Sequence, residues 1–144
     1  MGIKSPRELY GHAIKNHYGL GAFNTFSWET MIAVMEAAQA RRSPAILQVS
    51  MGARKYVGHF REYVVTLHTL AEQYDVPFFI QHDHCSTIDA CKEAIEAGCQ
   101  AVMFDGSHPP YEENVQRTRQ VAEYAHEKGI WVEAELGRLP GFED

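Results

Sequence analysis

The chain is 144 residues long, 45% hydrophobic and 22% charged, the composition of one globular domain rather than of a disordered chain. Thirteen Lys plus Arg against nineteen Asp plus Glu give a formal net charge of −6, and no basic stripe offsets it, which argues against nucleic acid and anionic membrane as partners. Its apolar runs fall far short of the ~20 residues of a membrane span. The opening residues do not read as a signal peptide, and Cys85, Cys91 and Cys99, in no paired spacing, read as reduced thiols of a cytoplasmic protein.

Taken in chain order, helix and strand alternate. Ser5-Pro6-Arg7-Glu8 starts a helix, with Ser5 as N-cap, Pro6 at the first helical position and Glu8 reaching back, and it should run to about His17. Gly19-Leu20-Gly21-Ala22-Phe23-Asn24 reads as a short buried strand. Ser27 caps a second helix with Met31, Val34, Met35 and Ala38 on one face. Pro44 closes that unit, and residues 45–50 form the next strand. Arg54-Lys55-Tyr56 falls in the following loop, where it could hold a phosphate or simply be solvated. A third helix carries the stripe Phe60, Tyr63, Val64, Leu67, Leu70, Ala71 and Tyr74.

After Pro77, Phe78-Phe79-Ile80-Gln81 is an apolar strand running into His82-Asp83-His84. Ser86 or Thr87 caps a helix that Gly98 ends. Residues 101–104 form a fourth strand running into Asp105-Gly106-Ser107-His108. A helix then follows Pro109 and Pro110 to about Lys128, and residues 130–135 form a fifth strand. Strands apolar throughout are those of a parallel α/β sheet, either doubly wound or closed as a (β/α) barrel. Neither GxGxxG after the first strand nor GxxxxGK[ST] occurs, which weighs against dinucleotide and P-loop folds.

Each strand ends in groups able to do chemistry: Asn24, then Gln48 and Ser50, then Asp83 and His84, then Asp105 and Ser107, then Glu133 and Glu135. Active sites of parallel α/β folds lie at those strand ends, although strand ends are also simply where chains turn polar. His82-Asp83-His84 is the densest cluster, and imidazole with carboxylate suits a divalent metal. A straight strand puts His82 and His84 on one face and Asp83 on the other. A bend lets Asp83 and His84 both reach the site. His-x-His also arises by chance in packed strands. Cys91 sits on the apolar face of its helix, and His12, His17, His59, His68 and His126 read as surface or packing residues.

The run Asp83-His84-Cys85-Ser86-Thr87, then Lys92 to Gly98, then Val102 to His108, then Tyr124 to Gly129 and Val132-Glu133-Ala134-Glu135-Leu136-Gly137 closely resembles the class II, zinc-dependent ketose-bisphosphate aldolases. The resemblance starts near Ala22 and runs to the last residue, and it implies an α/β fold of the (β/α)8 TIM-barrel type. Fructose-1,6-bisphosphate aldolase, a lyase of glycolysis and gluconeogenesis, is the commonest such member, and tagatose-1,6-bisphosphate aldolase is the alternative. By this resemblance Asp83 is the catalytic acid/base at the C4 hydroxyl, and Glu143, after Gly141, handles the proton on the dihydroxyacetone phosphate carbon. His84 is a ligand of the catalytic Zn2+, Glu135 can contact it, and Asp105 with Glu135 can hold a displaced metal. Asn24, Gln48 and Ser50 lie near the substrate, with Ser50 close to a phosphate. The family also implies a monovalent cation (Na+ or K+) at a site outside this chain, a sugar bisphosphate as ligand, and a homo-oligomer, dimer or tetramer. Gln81 stands where the family usually has a supporting histidine, and His82 has no family role.

A (β/α)8 barrel takes eight strands and ~250 residues, whereas five strands are read here. Residues 1–144 are therefore expected to be the N-terminal part of a single barrel domain. A missing segment or a second chain would carry the remaining strands and zinc ligands; otherwise the chain is a fragment inactive alone. Two other readings compete. One is a zinc hydrolase of amidohydrolase type, whose HxH belongs on the first strand and not the third. The other is a non-catalytic half-barrel or binding subunit.

Overall fold

The computed structural model describes residues 4–137. The elements are α1 (Pro6–Asn16), β1 (Gly21–Asn24), α2 (Trp28–Arg41), β2 (Ala45–Val49), α3 (Met51–Val57), α4 (Phe60–Ala71), β3 (Phe78–Cys85), α5 (Ile88–Ala97), β4 (Ala101–Phe104), α6 (Tyr111–Glu127) and β5 (Trp131–Ala134). The caps are those the sequence announces. Ser5 and Ser27 accept from the main-chain N–H groups of Glu8 and Thr30 in capping boxes, and Thr87 rather than Ser86 caps α5. Gly98 stops α5 in the left-handed region at φ 107°, where glycine carries no Cβ penalty.

All strand pairs are parallel and the order is β1-β2-β3-β4-β5. A doubly wound sheet reverses its strand order at a switch point. Here every crossover steps the same way, as in a barrel. Right-handed crossovers then stack the helices on one face. Between that face and the sheet lies the main core, built on Leu47, Val49, Phe78, Ile80, Val102 and Phe104 and on the buried faces of α2, α4, α5 and α6. The opposite face carries a smaller cluster, Leu9 of α1 with Ile46, Phe79 and Ala101.

Three details differ from the sequence reading. The first strand is not buried: β1 has one neighbour, and Phe23 is 49% exposed. β5, paired only with β4, is open in the same way. Second, Arg54-Lys55-Tyr56 is not a loop but part of α3, whose N-cap is Ser50. The Arg54 guanidinium pairs with Glu93 and lies 4.8 Å over the Phe60 ring. Third, α4 ends at Ala71, and Tyr74 lies beyond it, edge-on to Phe78.

Candidate active site

The C-terminal ends of the strands gather the polar residues. Register places Asn24 beside Gln48. The main chain and hydroxyl of Thr25, which is fully buried, both donate to the Gln48 carbonyl (2.8 and 3.1 Å) and fix the end of β2. Thr25 was not singled out from sequence; a lone Thr after a strand carries no distinctive signal.

The decisive local feature is a bend in β3. Its register with β4 shifts between His82 and Cys85, and His84 takes φ 49°. Few non-glycine residues adopt that conformation, and in native proteins such outliers gather at functional sites. Of the two arrangements open from sequence, this is the bent one, with Asp83 and His84 in contact. Nδ1 of His84 lies 3.1 Å from Oδ2 of Asp83, and Nε2 lies 3.7 Å from Oε2 of Glu135. Gln48 donates from Nε2 to Oδ1 of Asp83 at 3.2 Å. Asp83 is thus held at both oxygens while its residue stays 8% exposed. A cleft of about 370 Å³ opens here, lined by His84, Met103, Glu133 and Glu135.

Asp105 flanks this row at the end of β4. Its Oδ1 accepts from the Ser107 hydroxyl at 2.6 Å and from the Ser107 main chain at 2.9 Å. Burial by itself would raise the Asp105 carboxyl, but the Ser107 bonds, with His108 and His84 nearby, outweigh it and hold the group below its ordinary value. Ser50 stands at the start of α3, its Oγ accepting from Ala53 N at 3.1 Å, which leaves the hydroxyl proton to donate elsewhere. Gln81, at the expected histidine position, donates to Oε2 of Glu133 at 2.8 Å and ties β3 to β5 past β4. Glu143 lies outside the described residues.

His82 faces the other way. It is fully buried, its ring 4.9 Å from that of Phe60 and its Nδ1 donating to the Val49 carbonyl at 2.7 Å. Desolvation, opposed mainly by the Val49 bond, pushes the imidazole down to about 4. The unfolded chain, with an ordinary histidine, takes up a proton near pH 6.5 that the native state refuses. Stability is therefore complete above that value and is lost as pH falls from about 6.5 toward 4, by about 3 kcal/mol at 1.36 kcal/mol per pH unit. Urea unfolding at pH 7 and pH 4.5 should show this loss, and His82→Leu should flatten the pH dependence. An undiminished slope in His82→Leu would remove His82 as its source. The three cysteines are buried too; a Cys91 hydrogen bond and burial raise the Cys85 thiol, and burial pushes that of Cys99 up to about 12.

His84 and Glu135 offer nitrogen and oxygen ligands on facing atoms, and Asp83 behind Nδ1 is the carboxylate–histidine arrangement that fixes a ligating tautomer. In type these residues fit zinc. In number they are one short of the three protein ligands of a catalytic site, and no cluster of three or more His, Cys, Asp or Glu able to hold a metal forms among the described residues.

Known proteins share this arrangement of sequence and fold. The chain is 44% identical over 146 residues to the fructose-bisphosphate aldolase of Geobacillus stearothermophilus, covering 100% of this chain and 51% of that protein. The same figures hold for the fructose-bisphosphate aldolase of Staphylococcus aureus strain Mu50. The crystal structure of the YdjI aldolase from Escherichia coli K12 superposes with a TM-score of 0.88 at 27% identity, over 94% of this chain and 52% of that one. The five strands are accordingly part of a TIM barrel, and the chain spans about half the length of the curated relatives it matches. Residues 4–144 match the family described as fructose-bisphosphate aldolase class-II, so the chain belongs to the class-II fructose-bisphosphate aldolase family.

Proposed function

We propose that the protein containing this chain is a zinc-dependent lyase that reversibly cleaves fructose 1,6-bisphosphate to dihydroxyacetone phosphate and glyceraldehyde 3-phosphate. The observation that carries this reading is the contiguous row Gln48–Asp83–His84–Glu135, set at the strand ends of a family member. Asp83, oriented by Gln48 and His84, takes the proton of the C4 hydroxyl as the C3–C4 bond breaks and the C4 aldehyde forms. The electron pair of that bond stays with the dihydroxyacetone phosphate half, whose carbon then receives a proton handled by Glu143. Condensation runs the same transfers backward. His84 and Glu135 would hold the metal, with Asp105 and Glu135 serving a displaced position. Zn2+ bound there supplies Lewis-acid polarisation of the ketose carbonyl. Asn24, Gln48 and Ser50 would line the substrate, with Ser50 toward a phosphate.

In this reading residues 1–144 form the N-terminal part of a single barrel domain. The remaining strands would bring further zinc ligands and the monovalent-cation site, and the protein would work as a cytoplasmic homo-oligomer.

The test is turnover by the complete protein with fructose 1,6-bisphosphate and, separately, tagatose 1,6-bisphosphate, following triose phosphate release through coupled NADH oxidation. Fast release from the fructose substrate is expected. Preference for the tagatose substrate would change the assigned C4 stereochemistry, and release from neither would sink the reading.

A further inference from the structure

α6 meets the sheet through Asn114, Val121 and Ala125, a helical stripe. One of these three is an amide, 7% exposed, where the periodicity calls for a hydrocarbon. A buried amide is tolerated when its hydrogen bonds are made, and those of Asn114 lead to the site. Its Nδ2 donates to the main-chain carbonyl of Glu135 at 2.9 Å, and its Oδ1 accepts from the Thr118 hydroxyl one turn later, also at 2.9 Å. The ladder between β4 and β5 ends at the pair Phe104 and Ala134. Glu135 is thus the first residue past the last rung, and its carbonyl is held by a side chain instead of a strand. The carboxylate of that residue is the one that faces Nε2 of His84 at 3.7 Å.

We propose that Asn114 is a positioning residue for the site: its amide clamps the Glu135 main chain where the ladder stops and so keeps the Glu135 carboxylate against His84. What the clamped pair does rests on the aldolase reading; the clamp does not. Thr118 completes the device by occupying Oδ1, which orients the amide so that its N–H groups face β5.

The experiment uses the complete protein labelled with 15N-histidine, reading the His84 ring nitrogens at one fixed pH, together with Zn2+ affinity by competition against a chromophoric chelator. Asn114→Asp is isosteric but presents no amide donor, and Asn114→Leu removes both bonds. Both should move the His84 Nε2 resonance toward its position in Glu135→Ala, and both should weaken zinc by roughly 10–100-fold, the scale for groups that orient metal ligands. In the Glu135→Ala background neither should add further change, since a residue acting through Glu135 has nothing left to act on. An unmoved resonance in Asn114→Asp, or an equal effect with and without Glu135, would overturn the proposal. Should both Asn114 variants lose dispersed spectra, Thr118→Val decides, by a smaller shift in the same direction or by none. A wild-type protein that refuses zinc while the resonance still moves would sink the metal reading and leave the clamp standing.

Discussion

Asp83→Ala in the complete enzyme is expected to lower kcat by roughly 10²–10⁴-fold, the range for removing a positioned general acid or base, while the protein still binds zinc at saturation. The split follows from which atoms touch. Asp83 meets His84 at Nδ1, whereas the nitrogen opposite Glu135, which would face the metal in the proposed reading, is Nε2. Losing Asp83 removes the partner that fixes the His84 tautomer, which should weaken zinc by ~10-fold or more, so kcat must be read in excess zinc. Gln48→Leu leaves the base in place but frees its Oδ1, and a smaller loss in kcat is expected there. Wild-type kcat in zinc-saturated Asp83→Ala would remove Asp83 from its role and leave the strand-end cluster without a base.

The fold was legible because its punctuation is chemical. Ser5, Ser27, Thr87 and Gly98 begin or end helices through hydrogen bonds and φ values that their side chains dictate. The apolar stripe of α4 names its own buried face. What failed was short or relational. α3 spans seven residues, too few turns for a period to emerge, and its N-cap Ser50 was read as the end of a strand. The apolar β1 reads like the central strands because exposure there depends on the number of neighbours, which no local pattern encodes.

The site divides along the same line. Residue types point to the strand ends carrying Asn24, Gln48, Ser50, Asp83, His84, Asp105 and Glu135, since parallel strands deliver their ends to one side, and the structure brings Gln48, Asp83, His84 and Glu135 into one row there. Their contacts were not legible. The bend that brings His84 to Asp83 needs φ 49° at a histidine, a conformation no residue type there requests. The bend turns His84 away from the face where His82 packs on Phe60 and bonds to Val49, toward the side on which Gln48 holds Asp83. Asn114 carried a signal that could have been read, a polar residue on the buried stripe of α6. Gln81 shows the limit of the resemblance: histidine is expected there, and the amide instead makes a bond to Glu133 that a histidine N–H could also make.

Exhaustive chelation is expected to take turnover of the complete enzyme to background, and stoichiometric Zn2+ to restore it. The alternative chemistry for the same reaction is a Schiff base on lysine, which would put a lysine ammonium among the strand ends. Among the described residues, Lys4 lies near the N-terminus beside Glu8, Lys15 on α1, and Lys92 and Lys128 against Tyr124, while Lys55 is exposed on α3. The strand ends instead carry carboxylates, amides and an imidazole, the donors that suit a divalent ion. Since His84 and Glu135 would make only part of a catalytic zinc set in the proposed reading, removing either should move the zinc concentration needed for half-restoration upward by more than tenfold. His84→Ala should need the larger excess, because a nitrogen donor goes with its Asp83 support. Activity indifferent to chelation, with borohydride trapping the substrate on the protein, would replace the metal reading with the covalent one.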